Sequence, residues 1–126
     1  MLKFQQYLNE NFPDGLKAAV GRSGVDFYFE EGGCWGMALA LARMFKKQGK
    51  ACYFCVTKSY FIHAFVECEG KFYDSDGEYQ PTTTYKRTGT DEEGLFKMAE
   101  KHGVNRNKVE ADATQATDII DGCLEG

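Results

Sequence analysis

The chain has 126 residues, of which 43% are apolar and 14% aromatic, so a disordered chain is excluded and one globular domain over residues 1–126 is predicted. Its formal net charge is −4 and its basic residues form no cluster, so we expect no nucleic-acid partner. No apolar run reaches the roughly 18 residues that cross a bilayer, and the first residues lack a signal peptide's apolar stretch, so we expect a cytoplasmic protein without membrane contact.

Helices are predicted in the first part of the chain. Apolar residues recur at helical spacing over residues 2–10, and Pro13 separates them from a short helix over residues 16–20. The clearest helix runs from Cys34 to Gln48 and is apolar around most of its circumference. Such a helix is expected to lie buried at the centre of the domain.

Strands are predicted next, over residues 51–57, 61–68 and 71–74. Glu69 and Gly70 separate the last two and predict a two-residue hairpin turn, although Glu is not a favoured first residue there. Farther on, residues 81–84 are read as a loop or edge strand, and residues 91–102 and 111–124 as helices; residues 80–126 are assigned no function. The order predicts an α+β fold, with the central helix packed on a small antiparallel sheet.

The chain contains five cysteines, an odd number that argues against a closed disulfide framework. At least one thiol is therefore available for chemistry. Cys52 and Cys55 have the spacing of a redox or zinc motif, but in a strand they project to opposite faces. Zinc would also need two further ligands, and the chain has no second such pair. We therefore expect both to be structural thiols, and we expect no metal and no cofactor.

Cys34 is the predicted nucleophile. It begins the central helix directly after Gly32 and Gly33, where unpaired backbone N–H groups and the helix dipole favour an anion such as a thiolate. The glycines allow a substrate or a neighbouring strand to approach the backbone closely. The N–H group of Cys34 could also form half of an oxyanion hole.

A thiol nucleophile needs a base, and the chain has two histidines. His102 ends a polar helix, whereas His63 lies in a predicted strand among apolar residues, so His63 is preferred. A two-residue turn at Glu69-Gly70 would place Asp76 directly opposite His63 and Asp74 diagonally, roughly 7–8 Å away. Either carboxylate could then orient the imidazole, as in a catalytic triad.

These residues resemble the papain-like superfamily of cysteine peptidases, and most closely its small transglutaminase-like branch. The resemblance covers about residues 30–77. It rests on Gly32-Gly33-Cys34-Trp35 at a helix start, on His63-Ala64-Phe65-Val66 in a strand, and on Tyr73-Asp74-Ser75-Asp76-Gly77 after it.

The resemblance implies a triad of Cys34, His63 and Asp74 on a papain-like fold. It favours Asp74 over Asp76 because the family's aspartate ends its strand ahead of a D-x-x-G-like turn, and Gly77 fits that spacing. The family often has a side-chain donor upstream of the cysteine for the oxyanion hole; Tyr28 stands there in this chain. Trp35 is expected in the core or the pocket wall.

The expected function is that of a cysteine-dependent amide hydrolase, a peptidase or deamidase of bacterial or phage type that acts on a protein or peptide substrate. An acyltransferase or transglutaminase on the same triad is an alternative. A second alternative is an inactive or catalytically weak papain-like binding module, which the Glu30-Glu31 pair near the helix start favours, since these carboxylates would oppose a thiolate.

Overall fold

A computed structural model describes residues 15–27, 32–58 and 62–125 of the chain. Four helices lie in this part: α1 over residues 15–23, α2 (Cys34–Lys47), α3 (Glu92–Lys101) and α4 (Arg106–Glu125). Five strands lie between α2 and α3. They are β1 (Cys52–Thr57), β2 (Ala64–Cys68), β3 (Lys71–Asp74), β4 (Gly77–Tyr79) and β5 (Tyr85–Gly89). The predicted α+β fold class is confirmed.

The strands form one antiparallel sheet in the order β4-β3-β2-β1-β5. The central pair, β1 and β2, aligns Val56 with Ala64 and Cys52 with Cys68. The β2–β3 hairpin aligns Cys68 with Lys71, as the two-residue turn predicts. In that turn Glu69 and Gly70 have φ values of 53° and 82°. Both residues thus have the positive φ that a type I′ hairpin turn requires.

Helix α2 lies at the centre of the core, as its sequence predicts. Ten of its residues are buried, and it packs against α4 on one side and against β2 on the other. The sheet residues that cover it alternate along their strands, so that Phe54 and Val56 of β1 and Ala64 and Val66 of β2 join the same cluster. The helix is therefore held on several sides, which fixes the position of Cys34 at its first turn.

The predicted elements differ from the structure mainly at their ends. The helix predicted over residues 2–10 lies outside the described residues. Helix α1 continues to residue 23, whereas residues 21–24 were expected as a loop, and α4 begins at Arg106 instead of residue 111. The strand expected from residue 61 begins at Ala64. Strands β4 and β5 had no prediction, because both are short and mostly polar.

Candidate active site

Cys34 is the first residue of α2 and is only 2% exposed. The residue before it, Gly33, caps the helix without any side-chain hydrogen bond, since glycine has none to offer. The first intrahelical bond runs from the N–H of Met37 to the carbonyl of Gly33. The N–H groups of the first turn therefore lack both an intrahelical acceptor and a side-chain cap, which is the electrostatic setting that favours an anion.

The two glycines before Cys34 are needed for space and for backbone conformation. A Cβ at Gly33 would lie 2.2 Å from the carbonyl oxygen of Asp26 and 2.7 Å from Cα of Phe27. Gly32 has a φ of 77°, in the left-handed region that favours glycine. The sequence predicts a close approach to the backbone here by a substrate or a strand; in the structure residues 26–27, which are not part of a strand, make this approach.

His63 lies one residue before β2 and continues its pairing with β1. Its N–H donates to Oγ1 of Thr57 at 2.9 Å, and its carbonyl accepts from the Thr57 N–H at 3.0 Å. The ring stacks on Phe65 with centroids 5.8 Å apart and meets the edge of Tyr79 at 5.3 Å. With the side chain only 14% exposed, the imidazole is fixed in one orientation by backbone and ring contacts together.

Asp74 ends β3 and holds the imidazole. Its Oδ2 lies 2.9 Å from Nε2 of His63, and its Oδ1 accepts the backbone N–H of Asp76 at 2.8 Å. The carboxylate is therefore bonded through both oxygens, and Asp74 is only 6% exposed. The structure thus brings together His63 and the aspartate that the resemblance favours.

Asp76 occupies a different position from the one that the extended hairpin register predicts. Pairing of β2 with β3 ends at Val66 and Tyr73, because Ser75 and Asp76 form the turn that leads into β4. Asp76 is exposed and does not face His63 across a strand pair, so that expectation was wrong. Its backbone instead contributes a hydrogen bond that orients Asp74.

The second ring nitrogen of His63, Nδ1, is buried and makes no hydrogen bond of ordinary length and angle with a described residue. The thiol of Cys34 nevertheless interacts with this imidazole closely enough to change its pKa. Because Nε2 is engaged by Asp74, Nδ1 is the ring nitrogen that remains available to the thiol.

The pKa of His63 reflects competing causes. Burial lowers it, since a low-dielectric environment penalises the imidazolium ion. The hydrogen bond to the Asp74 carboxylate and the interaction with Cys34, together with the charges of these two groups, outweigh burial and raise the pKa from 6.5 to about 9. At neutral pH the imidazole is therefore mainly protonated.

Two further residues contact this site, and the sequence prediction missed both. Thr57 anchors the backbone of His63 through its hydroxyl. Tyr79 packs against the ring of His63. Burial, and to a smaller extent the charge of Asp74, raise the pKa of Tyr79. The Asp76-Gly77 turn signal was the available clue to Tyr79. A hairpin there places Gly77 opposite Asp74, so that Tyr79 projects from the same face as Asp74.

The remaining predicted site residues lie elsewhere. Tyr28, the expected oxyanion donor, is outside the described residues, as are Glu30 and Glu31. Trp35 is buried and stacks on His102 with centroids 5.9 Å apart, so it joins the start of α2 to the end of α3. A groove of about 570 Å³ lies beside the C-terminal half of α2 and is not lined by Cys34, His63 or Asp74.

Within the described ranges, no group of three or more His, Cys, Asp or Glu side chains is placed to hold a metal ion. None of the helices in those ranges is long and apolar enough to cross a membrane. Comparison of the chain with protein-family models, with curated proteins and with solved structures gives no significant match.

Proposed function

We propose that the chain is a cysteine-dependent amide hydrolase, a peptidase or deamidase on a papain-like scaffold, with Cys34 as nucleophile. The observation that carries the proposal is the imidazole of His63, which is bonded to Asp74 through Nε2 and interacts with the Cys34 thiol. A structural histidine in a core needs hydrogen-bond partners, but it does not need a thiol at a helix N-terminus and a buried carboxylate in series.

The reaction begins with attack of the Cys34 sulfur on the amide carbonyl carbon. A protonated His63 beside the thiol favours the thiolate by charge attraction, and the N-terminus of α2 favours it further. The developing oxyanion receives a hydrogen bond from the N–H of Cys34, which lies in the first turn of α2 and has no intrahelical acceptor. Asp74 keeps the imidazole aligned throughout.

His63 then donates its proton to the leaving nitrogen as the C–N bond breaks, and a thioester on Cys34 remains. Water attacks the thioester, His63 takes a proton from that water, and the C–S bond breaks to release the carboxylic acid. The raised pKa of His63 suits the first of these steps, because the imidazolium is populated at neutral pH. No step requires a metal or cofactor. Transfer to an amine in place of water would use the same intermediate.

A second candidate function is a binding module with little or no catalysis. The observation in its favour is the burial of Cys34, whose 2% exposure leaves little room for a carbonyl group to reach the sulfur. Thiol reactivity separates the two candidates. A poised thiolate reacts readily with a small alkylating agent, whereas an inert structural thiol does not.

The test is alkylation of the native protein by iodoacetamide from pH 5 to 10, with each cysteine followed by peptide mass mapping. Burial raises the pKa of Cys55 to about 11 and also raises the pKa of Cys52, Cys68 and Cys123, so these four thiols are internal references. We expect Cys34 to react at least tenfold faster than each of them near neutral pH, and His63→Ala to abolish this advantage.

A second assay identifies the type of hydrolysis. Denatured casein is incubated with the protein, and released ammonia and new amino termini are measured separately. Ammonia alone indicates a deamidase, new amino termini indicate a peptidase, and both signals should vanish in Cys34→Ala. If Cys34 reacts no faster than Cys123 and casein is unchanged, the hydrolase proposal is wrong and the binding module is the better account.

A further inference from the structure

Two other thiols face each other at the opposite end of the central strand pair. Cys52 of β1 and Cys68 of β2 are direct partners in the antiparallel ladder, so both side chains project from the same face of the sheet. They are 7% and 3% exposed and belong to the core that packs against α2. The two thiols are close enough to affect each other's pKa.

The backbone spacing of such a pair suits a covalent bond. Directly opposed residues in an antiparallel ladder have Cα atoms about 4.5–5.5 Å apart. Disulfides join Cα atoms that are about 4.4–6.8 Å apart. The two sulfur atoms can therefore bond by side-chain rotation, with no large movement of β1 or β2.

The thiol pair borders a groove on the protein surface and lies near a cation. Cys52 lines the groove of about 570 Å³ beside α2, and Lys50 lines the same groove. Burial raises the pKa of both thiols, and the negative charge of Glu69 also raises both, whereas the positive charge of Lys50 acts in the opposite direction. Lys50 lies 4.0 Å from Glu69 in the β2–β3 turn, so the ammonium group is held near the two sulfurs.

Cys55 is not the partner of Cys52, although the two have the spacing of a redox motif. Cys55 pairs with Phe65 in the ladder and lies on the face of the sheet opposite to Cys52, as strand alternation requires. Sequence spacing therefore suggests Cys52 with Cys55, whereas the sheet register pairs Cys52 with Cys68. The redox reading of Cys52 and Cys55 has no support in this geometry.

The geometry points to Cys52 and Cys68 as an oxidisable dithiol that a peroxide converts into a reversible cross-strand disulfide. The Cys52 thiolate attacks one peroxide oxygen, the O–O bond breaks, and a sulfenic acid and one water form. The Cys68 thiolate then attacks the Cys52 sulfur and expels hydroxide, which leaves as a second water. Two thiols and one hydrogen peroxide thus give one disulfide and two waters.

The bond would join β1 to β2 at the end of the pair far from His63. Because Thr57 of β1 holds the backbone of His63 at the other end, the disulfide secures the strand pair that carries the imidazole. Since both thiols are buried, we expect slow oxidation under sustained peroxide and not a rapid response.

The test uses the full chain with Cys34→Ser, so that its result does not depend on the proposed function. The protein is incubated with hydrogen peroxide, remaining thiols are blocked with N-ethylmaleimide, and peptides are mapped without reduction. We expect a peptide containing Cys52 joined to one containing Cys68, with the loss of two hydrogen atoms. Dithiothreitol should restore both thiols, and the oxidised protein should melt at a higher temperature.

Two variants in the same background sharpen the result. Cys55→Ser should leave the cross-link unchanged, and Lys50→Gln should slow its formation severalfold. A link from Cys52 to Cys55 or Cys123, or oxidation of Cys52 to sulfinic acid without any link, overturns the proposal. The proposal is also overturned if Cys52 and Cys68 both react completely with N-ethylmaleimide after the peroxide treatment, which shows that neither was oxidised, although the methionines were.

Discussion

The core contains two thiol sites that differ in the group beside the sulfur. Cys34 lies next to an imidazole that is held by a buried carboxylate, whereas Cys52 and Cys68 lie next to each other and near a lysine. Imidazole can take up and release a proton near neutral pH, but an ammonium group contributes little beyond its charge. The first site therefore suits proton transfer during the proposed acyl chemistry, and the second suits oxidation of two thiols to a disulfide.

Burial alone does not distinguish the two thiol sites. All three thiols are buried, and burial of the kind seen at Cys52 and Cys68 raises a thiol's pKa and slows its reactions. What distinguishes Cys34 is its place at a helix N-terminus and its interaction with His63. The most direct way to test the difference is to change the groups around Cys34 and to use the other cysteines as references.

Replacement of Asp74 should have the largest effect. In Asp74→Asn the carboxylate charge is lost and the amide can impose the wrong imidazole tautomer, so we expect casein hydrolysis to fall by about 10³–10⁴-fold. Rates of ammonia and amino-terminus release measure this loss. The oxidation of Cys52 and Cys68 should be unchanged, since Asp74 does not contact them.

Asp76→Asn is the matched control. The side chain of Asp76 is exposed, and the hydrogen bond to Asp74 comes from its backbone, which the substitution retains. We expect less than about a twofold change in hydrolysis, because the carboxylate that bonds His63 is that of Asp74 and the Asp76 N–H that orients it is retained. Equal losses in the two variants would contradict the assignment of Asp74 as the residue that orients His63.

The second largest effect that we predict is the loss of stability as pH rises and His63 is deprotonated. The pKa of His63 is about 9 in the folded chain, against an ordinary value of 6.5. Since the folded pKa is raised, its stabilisation is complete below the unfolded value and is lost as pH rises through the folded one. At about 1.4 kcal/mol per pKa unit, the free energy of unfolding should fall by about 3 kcal/mol over that window.

Urea denaturation from pH 6 to pH 10, in wild type and in His63→Gln, measures this fall. Other groups that titrate in the same range are present in both proteins, so the difference between the two curves isolates His63. The difference should be largest near pH 6 and smallest above pH 9. A difference that does not change with pH would mean that His63 does not interact with Asp74 and Cys34 as described.

A third prediction concerns the space in front of Cys34. In Gly33→Ala the new methyl group would meet the carbonyl oxygen of Asp26 at 2.2 Å, so the backbone must move at a cost of about 2–3 kcal/mol. Gly94→Ala in α3 is the control, because nothing lies within 4 Å of a Cβ there and alanine favours a helix by about 0.8–1 kcal/mol. Chemical denaturation should show opposite signs for the two variants.

The sequence predicts the centre of this fold better than its edges. Helix α2 and strand β3 follow from strong local signals, namely an apolar run bounded by glycines and a short strand after a hairpin turn. Strands β4 and β5 lack such signals, because edge strands are short and polar and are stabilised by pairing with neighbours. Their existence depends on the rest of the sheet.

The same limit applies to the candidate site. The order of Cys34, His63 and the aspartates along the chain predicted that an aspartate contacts His63, and Asp74 does. The choice between Asp74 and Asp76 depended on where β3 ends, and the Ser75-Asp76 turn decides it. Thr57 had no signal of its own, because its contact with His63 depends on the β1–β2 register, which residue types alone do not specify.

The smallest predicted effect falls on Thr57. Thr57→Val removes the hydroxyl that accepts the His63 N–H and should lower the free energy of unfolding by about 1 kcal/mol. Thr88→Val is the control, because it also removes one hydroxyl hydrogen bond from the same sheet, the one from Thr88 to the carbonyl of Phe54. Both variants should lose similar stability, but only Thr57→Val should also slow iodoacetamide alkylation of Cys34, since only Thr57 fixes the backbone that carries the imidazole. Equal alkylation rates in the two variants would show that the ring contacts with Phe65 and Tyr79 position His63 without help from β1.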